Sequence, residues 1–355
     1  MNNITYVTAL LDINRSDLKS NAFKRSFNRY IETLSHLLRH LKDKKLVIYI
    51  EKENENLVKS IKAHDIIIKY ITCDDLRKSQ YYDKIQKIRL NEEWRNQAGW
   101  LTESTQANLE LYNPLIFNKI HWLSDIANEN PFDTEYFVWI DAGIANAQCN
   151  PGYFSKSWFE ERICPHLEKF LLLCFPYENY NEIHGFTKEG MVKYSRTNDV
   201  NRVARATFFG GKKAECSFFA DKFREIAHET LNAGYMGTEE SILTILSYLY
   251  NDIVNIQMIK PNGLVSYFFE NLQNHTQKVF TVGGFDYLNT RVQQHPNTFD
   301  VFKNFLDTNT NIDLIIEFGT GSGGFSIFLH DECKKHNIKF ITYDLIKQSS
   351  VQNND

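Results

Sequence analysis

The sequence predicts an α/β fold, a mixed sheet of Rossmann type flanked by helices, followed by part of a second unit of the same type. Three observations predict it. Short apolar, β-prone runs alternate with helix-period segments through the first 75 residues. An aromatic run, Tyr136–Ile140, stops abruptly at Asp141. A late strand, Leu314–Phe318, runs into the glycine-rich stretch Gly319–Gly324.

Taken in order, Ile4–Leu11 reads as a buried first strand. A helix is expected over 21–41, with Phe23, Phe27, Tyr30, Ile31, Leu34 and Leu38 at helical spacing. Leu46–Ile50 is the second strand, Leu57–Ala63 a crossover helix and Ile66–Ile71 the third strand. Residues 75–128 are mostly helical in pattern, and Tyr136–Ile140 is a central strand. Leu171–Phe175 and Arg205–Phe209 follow as strands, the latter closed by Gly210 and Gly211. Helices are expected over Ala214–Ala233 and Glu239–Tyr248, with Thr238 as N-cap. The pattern turns polar over 271–312, read as a linker with a short helix at Thr298–Leu306, and Phe340–Asp344 is a last strand.

The chain has 355 residues, 43% of them apolar and 14% aromatic, enough to fill a core and to argue against global disorder. Net charge is −4 with the signs intermixed, so no basic stripe supports nucleic-acid binding. The first residues lack the basic start and long apolar run of a signal peptide, and no stretch is long enough to span a membrane. Six scattered cysteines without a C-x-x-C predict neither a disulfide framework nor a zinc site, so a cytoplasmic protein is expected.

Three groups carry chemistry. Ligands of open α/β sheets sit beyond the carboxyl ends of strands. There Asp141 can hold a divalent cation, Mn or Mg, against a diphosphate, and Ala142 and Gly143 let backbone approach the ligand. The plainer reading is an aspartate capping a turn. Phe209, Gly210 and Gly211 offer a flat surface for a sugar ring, or simply a hairpin turn. Glu239 and Glu240 open a helix whose dipole favours a carboxylate. They can accept a sugar hydroxyl, stabilise positive charge, or serve as base or nucleophile; alternatively they only cap the helix.

These residues resemble the HtrL/YibB family of bacterial glycosyltransferase-like proteins. The resemblance rests on Val7–Ile13, Asn118–Lys119, Asn130–Phe132, Tyr136–Gly143, Phe209–Gly211 and Gly237–Leu243, across residues 1 to about 260. It implies a GT-A-like glycosyltransferase domain over 1–270 that moves sugar from a nucleotide diphosphate sugar, uridine-linked, to a glycan or lipid-linked saccharide. A more distant likeness joins the chain to retaining galactosyl- and N-acetylgalactosaminyltransferases of the blood-group type, which also place Phe-Gly-Gly before an acidic pair. That likeness implies Glu240 on the reacting face of the sugar and Glu239 reading sugar hydroxyls. Their metal motif is Asp-x-Asp, whereas residue 143 here is glycine. By position, Thr8 and Asp12 are expected to contact the nucleotide, and Lys119 and Arg205 the phosphates. His121 and His184 are not expected to be ligands.

Residues 313–355 resemble the start of an S-adenosylmethionine-dependent methyltransferase of the cephalosporin-hydroxylase-like branch, with Gly319, Gly321 and Gly323 in the loop and Asp344 on the ribose. Gln294–Pro296 fits that branch too. Only one strand–helix–strand unit is present, so methyl transfer is not expected, and a longer two-activity protein is suggested. Two rival functions stand beside the transferase: a methyltransferase with an accessory N-terminal part, and a non-catalytic carbohydrate-binding module.

Overall fold

The structure, a computed structural model, describes residues 3–61, 65–147, 149–177, 181–273, 285–288, 290–292, 294, 297–319 and 323–343. The chain divides into two compact units, residues 1–272 and 273–355.

The first unit is built on a seven-stranded sheet in the order β3-β2-β1-β4-β8-β5-β9. Its strands are β1 (Ile4–Leu10), β2 (Lys45–Ile50), β3 (Ile66–Tyr70), β4 (Tyr136–Ile140), β5 (Phe170–Pro176), β8 (Arg202–Lys212) and β9 (Val254–Met258). A small hairpin, β6 (Glu182–Ile183) and β7 (Phe186–Thr187), stands apart. β1 pairs in parallel with β2 and β4, and β5 with β9. β8 runs antiparallel to both β4 and β5 and joins the two parallel halves. The α/β class with a mixed, mostly parallel sheet is as the sequence predicts.

The first long helix covers Phe27–Leu41, not 21–41, because the Ser26 side chain accepts from the Arg29 N–H and starts it there. Leu34, Leu37, Leu38 and Leu41 bury its apolar face. The crossover helix is short, Glu55–Lys59, and Ala63 lies outside the described residues. The helix Tyr112–Glu129 packs on β4 and the helix Lys213–Asn232. Trp139 of β4 is fully enclosed between Trp122 and Phe209, with centroids 6.1 and 6.4 Å away. The helix Glu239–Leu249 begins as expected, but the Thr238 side chain makes no cap bond.

Gly210 and Gly211 do not close a turn. They lie inside β8, opposite Val138 and Phe137 of β4. A Cβ at Gly210 would stand 2.1 Å from the Phe137 carbonyl oxygen, so glycine is what allows the two strands to approach. All six cysteines are free, and among the described residues no helix is long and apolar enough to cross a membrane.

In the second unit, β12 (Leu314–Phe318) and β13 (Lys339–Tyr343) pair in parallel around the helix Gly324–Lys335. The short helix expected in the stretch read as a linker is present, and a hairpin that was not expected precedes it. The hairpin is formed by β10 (Phe285–Tyr287) and β11 (Thr290–Val292), and the helix is Asn297–Thr308. Val292 is buried with Phe325, Phe328 and Leu329, and Tyr287, Phe299 and Phe302 pack against them. The strands of the hairpin are three residues each, too short for an apolar period to be read as an element. Gly319 and Gly323 adopt φ of +85° and +89°, a left-handed backbone that glycine tolerates. Gly321, Asp344, His295 and Pro296 lie outside the described residues.

Candidate active site

Beyond the carboxyl ends of β1 and β4 lies a cavity of about 580 Å³. The chain leaving β1, residues 9–13, forms one wall and Asp141, Ala142 and Gly143 another. Tyr112 and Lys119 enter from the helix Tyr112–Glu129, and Glu239 and Glu240 from the first turn of the helix Glu239–Leu249. Arg205 and Thr207 come from β8, and His184 from the turn between β6 and β7.

A chain of charges crosses this cavity. The Trp139 indole N–H donates to Asp141 Oδ1 at 2.7 Å. Lys119 Nζ reaches Asp141 at 2.8 Å and Glu239 Oε1 at 2.7 Å, so one ammonium joins two carboxylates. Burial alone would favour a neutral Lys119 amine. Asp141 and Glu239 outweigh it and hold the pKa well above the ordinary lysine value. Glu240 is gripped from the other side. Its Oε1 accepts from the Ala206 backbone N–H at 3.1 Å, and its Oε2 stands 3.3 Å from both Arg205 Nη1 and His184 Nδ1. Arg205 is fixed in turn by a bond from its Nε to the Gly263 carbonyl at 3.1 Å and by the Phe175 ring, 4.6 Å below the guanidinium.

The two neighbouring glutamates therefore differ. Burial pushes the Glu239 carboxyl up to about 7, with Lys119 opposing and the Glu240 charge adding. Burial also acts on Glu240, but Arg205, His184 and the Ala206 N–H prevail and hold its carboxyl below the ordinary range. One carboxyl is poised to exchange a proton near neutrality and the other stays an anion.

Of the residues singled out in the sequence, Asp12, Lys119, Asp141, Ala142, Gly143, Arg205, Glu239 and Glu240 share this cavity. Thr8, Phe209, Gly210 and Gly211 do not line it. Thr8 is fully buried within β1, and the other three are enclosed in β8, where strand pairing leaves no room for a sugar ring. Lys119 and Arg205 meet carboxylates where phosphates were expected. The donor set at Asp141 does not fit the expected divalent cation. Its oxygens already receive the Trp139 N–H and the Lys119 ammonium, whose charge opposes a second cation there.

His121 is structural, as expected. Its Nε2 pairs with the Tyr81 hydroxyl at 2.6 Å, and burial lowers its pKa to about 4. His184, set aside with it in the sequence, stands instead against Glu240. Its φ of +51° at the β6–β7 turn is a three-dimensional feature that no local pattern signals. Arg15, Arg25 and Arg29 also reach the cavity and were not singled out. The Thr238 hydroxyl lines it as well, buried and without a partner among the described residues.

Comparison with known proteins places this geometry in a family. No curated protein matches the chain. Among solved structures it is similar to 4-diphosphocytidyl-2C-methyl-D-erythritol synthase from Anaerococcus prevotii DSM 20548, at 10% identity and a TM-score of 0.33. That match covers 77% of this chain and 95% of the other, and at this TM-score it carries no functional argument. The family model described as "Bacterial protein of unknown function (HtrL_YibB)" matches residues 2–263, which hold the whole cavity, and the chain therefore belongs to the HtrL_YibB family.

Proposed function

We propose that the cavity takes a nucleotide diphosphate sugar, in the first instance uridine-linked, and transfers its sugar to a hydroxyl of a glycan or lipid-linked saccharide. The observation that carries this reading is the pair Glu239 and Glu240, adjacent buried carboxyls with opposite protonation behaviour in one cavity. In this reading Glu240 faces the anomeric carbon as a permanent anion. The bond from that carbon to the diphosphate oxygen breaks, and its electron pair leaves on the diphosphate. Glu240 stabilises the positive charge that rises on the sugar. The acceptor oxygen forms the new bond to the carbon, and its proton passes to Glu239, whose pKa suits the exchange. Lys119 positions Glu239, while Arg205 and His184 position Glu240.

Thermal unfolding with a panel of nucleotide sugars, and with S-adenosylmethionine for comparison, tests the reading. A ligand at about 100 times its Kd adds about 2.7 kcal/mol, which is several degrees for a unit of this size. With the donor so identified, Glu240→Gln is expected to keep the shift and lose turnover by about 10²–10⁴-fold. A panel without any shift, or parental turnover in Glu240→Gln, would overturn it.

A further inference from the structure

Charge in the cavity is unevenly spent. Lys119 is shared between Asp141 and Glu239, and Arg205 is committed to Glu240. Arg15 and Arg25 reach the same cavity, yet among the described residues they donate only to neutral acceptors. Arg15 bonds the Phe23 carbonyl at 2.8 Å and the Tyr30 hydroxyl at 2.7 Å, beneath the Tyr30 and Tyr112 rings. Arg25 bonds the carbonyls of Ala22 and Lys24 at 3.0 and 2.7 Å. Their full positive charge faces the cavity.

A second observation points the same way. The helix Phe27–Leu41 begins at this edge, with Ser26 as N-cap. Its first turn holds no acidic residue. Arg25 directly precedes the cap, so its charge stands at the positive end of the helix dipole. Helix starts favour acidic residues and disfavour basic ones. Such a local violation is kept where an anion compensates it.

We propose that Arg15 and Arg25 form the diphosphate-binding edge of the cavity, so that guanidinium groups, and not a metal ion at Asp141, meet the donor's negative charge. This inference rests on the nucleotide diphosphate reading above for the identity of the ligand. Guanidinium groups suit it, since each presents a planar fork that can grip two phosphate oxygens. Arg15 is held in place beforehand by Phe23 and Tyr30, which lowers the cost of ordering it on binding.

Calorimetric titration of the full chain with UDP and with inorganic pyrophosphate, in EDTA and in Mn²⁺, tests the proposal. Both are expected to bind in EDTA, with less than about a twofold gain from Mn²⁺. Arg25→Gln is expected to weaken both at least about tenfold, as the loss of one charge-assisted contact does. Arg15→Gln should do the same, and since it also loses two internal bonds, Arg25→Gln is the deciding variant. UDP binding that needs Mn²⁺ and survives Arg25→Gln would overturn the arginine edge and leave the transferase reading standing. Pyrophosphate binding that Arg25→Gln abolishes, with no nucleotide diphosphate or nucleotide sugar bound, would support the edge and overturn the transferase reading. Binding of neither under any condition would overturn both.

Discussion

Replacing Lys119 by methionine keeps much of its volume and removes the cation that Asp141 and Glu239 share. The side chains are 11%, 28% and 7% exposed for Lys119, Asp141 and Glu239, so water screens the two stranded carboxylates little. Breaking a buried pair from one side costs about 3–5 kcal/mol. At about 2–4 °C per kcal/mol the unfolding temperature falls by roughly 10 °C at pH 8. The loss should depend on pH, and its sign follows from Glu239. Without Lys119 its folded pKa rises further above about 7, while the unfolded value stays near that of a free glutamate. Between those two values the folded state holds the extra proton, so the stability of the variant falls as pH rises. Near pH 5 Glu239 is protonated, only Asp141 is left without its cation, and the difference from the parent narrows. Calorimetric scans of both proteins from pH 5 to pH 8 measure this. A loss below about 1 kcal/mol at pH 8, or one equal at both ends, would refute the account of Lys119 as the charge that balances the cavity.

Other outcomes follow from the same geometry. Turnover should rise with pH through about 7 as Glu239 loses its proton, and Glu239→Gln should abolish that limb of the profile. Trp139→Phe removes a donor to a charged carboxylate and is expected to cost about 1.5–3 kcal/mol, read by urea denaturation. Gly210→Ala forces a methyl group onto the Phe137 carbonyl, and a loss of about 1–3 kcal/mol or more is expected in the same assay.

What the sequence made legible follows the reach of local signals. β1, β2 and β4 are largely apolar runs buried on both faces and could be read directly, whereas β9 alternates apolar residues with Asn255 and Gln257 and was not read as a strand. Asp141, Glu239 and Glu240 stood out because each sits at an element's end, where ligands collect. Their partners did not. That Lys119 serves both Asp141 and Glu239 joins residues 22 and 120 positions apart. The glycine pair misled because a close strand approach and a turn both require glycine, and only the pairing with β4 separates them. Arg15, Arg25 and Arg29 were invisible because an isolated arginine before or within the first turn of a helix has no periodic signature. Only the cavity shows which way they face.

The indole of Trp139 joins the buried aromatic stack to the carboxylate at the end of β4, and Trp122 beside it also borders the cavity. The protein thus contains its own optical gauge. Emission from an indole shifts with the charge and polarity around it, so a ligand entering, or a proton arriving at Glu239, should change the fluorescence without any added label. Trp94, Trp100 and Trp158 are not among the residues that line the cavity, and they supply a steady background against which that change can be read.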